Sequence, residues 1–158
     1  MGSGKTTFGK KLAAKLSYDA VDLDTEIMLH TETPSLKTLI EEKEIKFFRV
    51  AESKVLKSLM LGNRVVSTGG GTPCYFDNLE WMKKNGTVIF LKVDEGVLFS
   101  RLKNTDLDER PLLQDLDEAG LRNFIHTKLA ERMPYYSQAN LVFDPVNEKM
   151  EDLLNSLK

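Results

Sequence analysis

Residues 2–7 read Gly-Ser-Gly-Lys-Thr-Thr, and a helical pattern of apolar and basic residues follows at once. This is the end of the phosphate-binding pattern G-x-x-x-x-G-K-[ST]. Its glycines let backbone N–H groups approach a phosphate, and its lysine adds a positive charge. The helix that follows directs its positive N-terminal end toward the same anion. The stretch therefore predicts an α/β fold that binds a nucleotide.

The first glycine of that pattern would stand five residues before Gly4, ahead of Met1. A buried strand normally leads into such a loop. We therefore expect a leading β-strand and the first glycine, about ten residues together, to be missing upstream of Met1. A true beginning at Met1 with impaired phosphate binding, or a different fold, would be the alternatives. The intact motifs downstream favour the missing strand.

Length and composition are typical of one globular domain spanning residues 1–158. The chain is 41% hydrophobic and 29% charged, with a net charge of −2. That charge provides no basic surface for nucleic acid or for an anionic membrane. No apolar run has the length of a membrane span, and one cysteine excludes an internal disulfide framework. We expect a cytoplasmic monomer without nucleic-acid or membrane partners.

Strand-like and helical patterns alternate along the chain. The strand-like stretches are residues 18–24, 63–67, 87–93 and 139–144, each followed by a loop or a helical pattern. The stretch at 87–93 is almost continuously apolar, which is typical of a parallel strand covered on both faces. The alternation predicts a three-layer α/β sandwich with a parallel sheet flanked by helices.

Two aspartates, Asp22 and Asp24, close the first strand pattern. Because alternate residues of a strand point to the same side, we expect both carboxylates at the ligand-facing edge of the sheet. One can hold Mg²⁺ through water while the other reaches a substrate hydroxyl. An acidic strand end that caps the next helix is the alternative. A neighbouring phosphate loop favours the functional interpretation.

The second strand pattern ends in a glycine loop, Ser67-Thr68-Gly69-Gly70-Gly71. Three glycines carry no side chains that would obstruct a ligand. A plain turn is the alternative. The loop lies at a second strand end on the same edge of the sheet, which favours a ligand-binding role.

Four arginines are candidates for binding anions, because a planar guanidinium binds a carboxylate or phosphate through two parallel hydrogen bonds. Arg49 and Arg132 lie in helical patterns. Arg110 lies in a polar loop beside Pro111, where a lid could carry charge to a transferring phosphate. Arg101 stands on the helical pattern before that loop, and a position near the base of ATP suits it. A plain surface arginine is the alternative for each.

In their order and separations, these motifs resemble shikimate kinase over essentially the whole chain. They are GSGKTT, DLD, an arginine before Glu52, STGGG, RPLL and ERMPYY. The resemblance implies a fold like the nucleoside monophosphate kinases, with a five-stranded parallel sheet, a substrate-binding segment at about 25–53 and a lid at about 103–117. It also implies ATP-dependent phosphorylation of the 3-hydroxyl of shikimate, a step toward chorismate and the aromatic amino acids.

The resemblance further implies a role for individual positions. ATP would be bound by Gly2, Ser3, Gly4, Lys5, Thr6, Thr7, Arg101 and Arg110. Mg²⁺ would be held by Thr6 directly and, through water, by Asp22 and Ser67. Shikimate would be bound by Asp24, Arg49, Gly69, Gly70, Gly71 and Arg132. The implied catalytic residues are Lys5, Asp24 and Arg110, with Asp24 as candidate base.

Two other functions remain open on the sequence alone. One is another small-molecule kinase of the same fold, acting on gluconate or a nucleotide. The other is a truncated, non-catalytic nucleotide-binding module, which only the missing first glycine supports. A nucleotide acceptor would call for more phosphate-binding arginines than Arg49 and Arg132, and these two suit a single carboxylate.

Overall fold

The computed structural model describes residues 2–59, 62–104 and 116–157. The chain divides into two compact units. The first unit is Lys5–Asn85, and the second unit is Met1–Gly4 together with Gly86–Lys158. Each unit is described by itself.

In the first unit, two parallel strands alternate with helices. The elements are α1 (Lys5–Leu16), β1 (Asp19–Asp22), α2 (Leu23–Thr31), α3 (Leu36–Ser58), β2 (Arg64–Ser67), a 3-10 turn (Thr72–Cys74) and α4 (Asn78–Asn85). The register of β1 and β2 pairs Asp19 with Arg64 and Asp22 with Ser67. The carboxyl ends of both strands, with their polar side chains, therefore meet at one edge.

The junction between β1 and α2 corrects one prediction. Asp24 does not lie on the strand, because β1 ends at Asp22 and α2 begins at Leu23. The Asp22 carboxylate accepts a hydrogen bond from the Asp24 backbone N–H at 3.1 Å and so caps the helix. A side-chain cap supplies a partner for a free N–H of the first helical turn. The expectation that Asp22 and Asp24 share a strand face is therefore wrong.

The core of the first unit lies among its helices. It consists of the buried residues Leu23, Ile27, Leu39, Phe48, Val55 and Leu56. Helix α3 is kinked within it at Glu44, whose φ of 68° and ψ of 157° are not helical. Glycine adopts this backbone conformation readily, whereas other residues adopt it under strain. The kink separates the first part of α3 from the part that carries Arg49.

The second unit has the same alternating pattern. Its elements are β3 (Ile89–Leu91), α5 (Glu95–Lys103), α6 (Glu118–Tyr136), β4 (Leu141–Phe143) and α7 (Met150–Ser156). Strand β3 pairs with β4 in parallel, from Ile89 opposite Leu141 to Leu91 opposite Phe143. Its buried core residues are Val93, Leu98, Phe99, Leu102, Leu121 and Ile125.

The four strands lie where the sequence predicts them, although each is shorter than its pattern. Within the described ranges they form two parallel pairs, so the implied fifth strand stays an expectation. None of the helices in those ranges is long and apolar enough to cross a membrane.

Candidate active site

The beginning of α1 and the ends of β1 and β2 meet in the first unit. The Thr6 hydroxyl donates a hydrogen bond to Asp22 Oδ2 at 2.7 Å. The Ser67 hydroxyl donates one to the Lys5 carbonyl oxygen at 3.2 Å. The structure therefore brings Lys5, Thr6, Asp22 and Ser67 together at one edge, as the sequence predicts.

Gly9 lies behind this edge and was not predicted to matter. It is buried in α1, and a Cβ built on it would fall well inside contact distance of Ser67 Oγ. A glycine inside a helix costs about 1 kcal/mol relative to alanine. Here it lets α1 approach the end of β2 closely.

Asp24 stands in the first turn of α2 and faces the glycine loop. A Cβ on Gly69 would lie 3.6 Å from Asp24 Oδ1. Burial raises the pKa of Asp24, and the nearby charges of Asp22 and Glu52 raise it further, whereas Lys5 and Arg49 act in the opposite direction. A carboxyl group held in such surroundings is a better proton acceptor than an exposed aspartate.

The Arg49 side chain is closely enclosed in the first unit. Its Nη1 donates a hydrogen bond to Glu52 Oε2 at 2.7 Å, and the Glu52 side chain is 0% exposed. Its Cζ lies 4.7 Å from the centre of the Phe48 ring and 4.4 Å from that of Tyr75. The guanidinium is therefore held on one edge by a carboxylate, with aromatic rings close to it.

Part of the Arg49 guanidinium remains without a partner. Its Nε is buried and makes no hydrogen bond to any described residue. Buried donors of this kind are rare in folded proteins and call for an explanation, such as a ligand that is absent. Gly71 lies against the same group, because a Cβ on it would be 2.7 Å from Arg49 Nη2.

The glycine loop thus borders both Asp24 and Arg49. Gly69 lies near Asp24, Gly71 lies against Arg49, and Gly70 stands between them, half-buried. A Cβ on Gly69 would crowd Glu52 Oε1 and Thr72 Oγ1, both at 3.1 Å, and a Cβ on Gly71 would crowd the Arg49 guanidinium. Gly71 is needed for close approach and not for an unusual backbone conformation, because its φ of −91° is one that any residue adopts.

In the second unit, the glycines that open the motif lie near Arg101. The Gly2 carbonyl accepts a hydrogen bond from Arg101 Nη1 at 3.1 Å. Gly2 and Gly4 both have positive φ, 69° and 81°. A Cβ on Gly2 would lie 3.2 Å from Leu102 Cγ. These contacts place Arg101 beside Gly2 and Gly4, two of the residues that the sequence predicts to bind ATP.

Three predicted site residues remain: Thr7, Arg132 and Arg110. Thr7 is exposed in the first turn of α1, and Arg132 is half-buried on α6 in the second unit. Arg110 and most of the predicted lid lie outside the described residues. The pairing of Arg132 with Arg49 on one carboxylate stays a prediction.

The oxygen atoms at the beginning of α1 and the end of β1 suit a hard divalent cation. Thr6 Oγ1 and Asp22 Oδ2 are both oxygens, the ligand type that Mg²⁺ takes. In the described ranges, no three His, Cys, Asp or Glu side chains cluster so as to hold a metal by themselves. An ion here would therefore need oxygens from phosphate and water as well, which is usual for Mg²⁺ in phosphoryl-transfer sites.

Sequence reasoning missed several residues of this site. Glu52 follows Arg49 by three positions on a helix, a spacing at which opposite charges pair, so this signal was available. Three others offered no such signal: Tyr75 lies near Arg49, the Thr72 hydroxyl donates to Glu52, and Asn78 accepts from the Ser53 hydroxyl. In each case the partner is distant in the sequence.

Comparison with known proteins identifies the family. The family model described as Shikimate kinase matches residues 1–157. A shikimate kinase from Bacteroides fragilis is 41% identical over 153 residues, covering 96% of this chain and 83% of that protein. A shikimate kinase from Bacillus mycoides is 39% identical over 158 residues, which cover 100% of this chain and 92% of that protein.

Solved structures agree with this result. A shikimate kinase from Bacteroides thetaiotaomicron superposes with a TM-score of 0.86 at 37% identity, covering 99% of this chain and 89% of that one. The structure of an Acinetobacter baumannii shikimate kinase in complex with shikimate has a TM-score of 0.84 at 29% identity, covering 99% and 85%. The predicted α/β fold of the nucleoside monophosphate kinase type is thereby confirmed, and the chain belongs to the shikimate kinase family.

Proposed function

We propose that this protein transfers the γ-phosphoryl group of ATP to the 3-hydroxyl of shikimate. The product would be shikimate 3-phosphate, a precursor of chorismate and the aromatic amino acids. The observation that carries the proposal is that an enclosed guanidinium, Arg49, and a half-buried carboxyl group, Asp24, both border the glycine loop. Shikimate carries one carboxylate and several hydroxyls, and these two groups match them.

Arg49 would bind the substrate carboxylate. Glu52 already neutralises one edge of its guanidinium, and Nε stays unsatisfied among the described residues. A bound carboxylate would satisfy that donor and add a charge-assisted hydrogen bond. Arg132 would be the second cation of this clamp, and Gly69, Gly70 and Gly71 would line the substrate.

Asp24 would accept the proton of the attacking hydroxyl. The hydroxyl oxygen forms a bond to the γ-phosphorus, the bond from that phosphorus to the β–γ bridging oxygen breaks, and ADP leaves. The raised pKa of Asp24 favours its protonation as the hydroxyl loses its proton. Positioning of the two reactants supplies much of the rate enhancement in such transfers.

The phosphates of ATP would be bound by the loop residues Gly2, Ser3, Gly4, Lys5, Thr6 and Thr7, with Arg101 and Arg110 as further ATP contacts. Thr6 would hold Mg²⁺, with Asp22 and Ser67 acting through water. The ion would supply charge neutralisation for the phosphates. Lys5 would add a positive charge, and its carbonyl is already fixed by Ser67.

We also propose that residues 1–158 act as one kinase domain, with a substrate-binding segment at about 25–53 and a lid at about 103–117. Closure of a lid would exclude water and limit hydrolysis of ATP. The absence of a spanning helix in the described ranges is compatible with a cytoplasmic enzyme. A monomer is the simplest assembly for this site, which uses residues of one chain.

A panel of acceptors tests the proposal. ADP formation is followed with shikimate, gluconate or a nucleoside monophosphate as acceptor, with Lys5→Ala as the control variant. Of the three acceptors, we expect only shikimate to support ADP formation, and we expect Lys5→Ala to abolish that activity. Turnover with another acceptor and none with shikimate would favour a different kinase of this fold. Binding of neither Mg-ATP nor shikimate in calorimetry would favour a non-catalytic module.

A further inference from the structure

Glu52 connects the carboxylate clamp to the glycine loop. Its side chain is fully buried, and each carboxylate oxygen has its own partner. Oε2 accepts from Arg49 Nη1 at 2.7 Å, and Oε1 accepts from the Thr72 hydroxyl at 2.6 Å. A buried carboxylate depends on such partners, since water cannot replace them. The orientation of Glu52 is therefore set jointly by Arg49 and Thr72.

The hydrogen bonds continue from Thr72 back to α3. Asn78 Nδ2 donates to the Thr72 carbonyl at 2.9 Å, and Asn78 Oδ1 accepts from the Ser53 hydroxyl at 2.7 Å. Ser53 is the neighbour of Glu52 in α3. Thr72 and Asn78 are both 0% exposed. The network is thus a closed ring, which leaves α3 at Glu52, crosses the loop and α4, and returns at Ser53.

The ring also fixes the backbone of the glycine loop. The Thr72 N–H donates to the Gly69 carbonyl at 3.1 Å, so the residue that holds Glu52 also closes the turn of the loop. Gly71, the residue before Thr72, lies against the Arg49 guanidinium. A shift of Thr72 would therefore move the loop and the clamp together.

We propose that Thr72 is a positioning residue for the substrate. Its hydroxyl orients Glu52, Glu52 orients Arg49, and its backbone holds Gly69, so that the carboxylate clamp and the glycine loop keep one fixed spacing. This role rests on the proposed function, because it assumes that Arg49 binds the carboxylate of the acceptor. In this role Thr72 would act through Glu52 and the loop backbone, and not by binding acceptor or ATP itself. A fixed spacing favours an acceptor that carries its carboxylate and its reacting hydroxyl at one set distance.

The test compares Thr72→Ser with Thr72→Ala, because these two variants differ by the hydroxyl alone. KM is measured separately for shikimate and for ATP, and the melting temperature is recorded. Thr87→Ala, at an exposed position, controls for the substitution itself. Leu153→Ala, in the buried face of α7, controls for lost stability away from the site. Thr72→Val is the second deletion of the hydroxyl if Thr72→Ala does not fold.

We expect Thr72→Ala to raise the KM for shikimate by about tenfold or more, as loss of a hydrogen bond to a charged group does. The KM for ATP should stay within about twofold, and Thr72→Ser should restore the KM for shikimate to within about threefold of wild type. An unchanged KM for shikimate in a folded Thr72→Ala protein would overturn the proposal. So would equal increases in both KM values, or an increase of the same size in Leu153→Ala. Absence of shikimate turnover in the wild type would instead contradict the proposed function.

Discussion

Gly71→Ala is the substitution that tests the clamp at closest range. The backbone of Gly71, with φ of −91° and ψ of −16°, accepts alanine without strain. The added Cβ would lie 2.7 Å from Arg49 Nη2 and 3.1 Å from Cζ. The shorter distance is about 0.7 Å below ordinary van der Waals contact. One of the two groups must therefore move.

The Arg49 side chain cannot move freely, although its guanidinium is the far end of a flexible side chain. Glu52 holds it at 2.7 Å, and the Phe48 and Tyr75 rings lie close to its Cζ. A displacement of this size misaligns the hydrogen bonds to a substrate carboxylate. Bonds to charged groups contribute about 1.5–3 kcal/mol each, and about 1.4 kcal/mol corresponds to a tenfold change in affinity. We expect the KM for shikimate to rise about 10- to 100-fold, with little change for ATP.

The assay is steady-state formation of ADP, with shikimate varied at saturating ATP and then the reverse. Gly96→Ala is the matched control, because a Cβ on this exposed residue of α5 in the other unit would also crowd a side chain, Asp94 Oδ1, at 3.0 Å. Circular dichroism shows whether the variant is folded. A folded Gly71→Ala enzyme with the wild-type KM for shikimate would refute the reasoning, since it would mean that Arg49 does not bind the acceptor from this position.

Substitutions at Asp24, Glu44 and Tyr75 test other parts of the protein. Asp24→Asn should lower kcat by about 10²- to 10⁴-fold, the usual effect of losing a general base. It should also raise the melting temperature at pH 7, because burial raises the pKa of Asp24 above 3.8 and its ionised form therefore costs native stability above that raised pKa. The stability gain should shrink as the pH falls through the raised pKa. An Asp24→Asn variant that retains near-wild-type kcat would exclude Asp24 as the base. Glu44→Gly should raise the free energy of unfolding by about 1 kcal/mol, because glycine relieves the strained backbone. Glu42→Gly, at an exposed position in the same helix, should lower it by about 1 kcal/mol. Equal losses of stability in thermal melts would argue against strain at Glu44. Tyr75→Phe should keep the wild-type KM for shikimate, whereas Tyr75→Ala should raise it about three- to tenfold, because it removes a ring near Arg49. Equal KM values for the two variants would contradict a role for the ring.

The sequence correctly predicted which residues meet at the ends of β1 and β2, for a physical reason. Parallel strands bring their carboxyl ends to one edge, so Asp22 and Ser67 had to meet once β1 and β2 paired. The motif at Lys5 and Thr6 then fixed which helix begins there. These predictions needed only the order of the elements and the period of the side chains.

The positions of Asp24 and Thr72 depend on side-chain contacts that periodicity does not encode. The Asp22 carboxylate caps α2 directly after β1, so Asp24 lies in a helix and not on the predicted strand. Thr72 meets Glu52 across 20 residues, and Asn78 meets Ser53 across 25. Such pairs form only after α3, the glycine loop and α4 pack together, and neither partner has a sequence pattern that points to the other.

The most direct measurement compares shikimate with its methyl ester as acceptors for the wild-type enzyme. Product and ADP are quantified together, and the position of the phosphate is read by NMR. We predict one ADP for each shikimate 3-phosphate. For the ester we predict a kcat/KM at least about tenfold lower, because it lacks the charge that we propose Arg49 binds. Equal use of the acid and the ester, or no phosphorylated product from shikimate, would contradict the account.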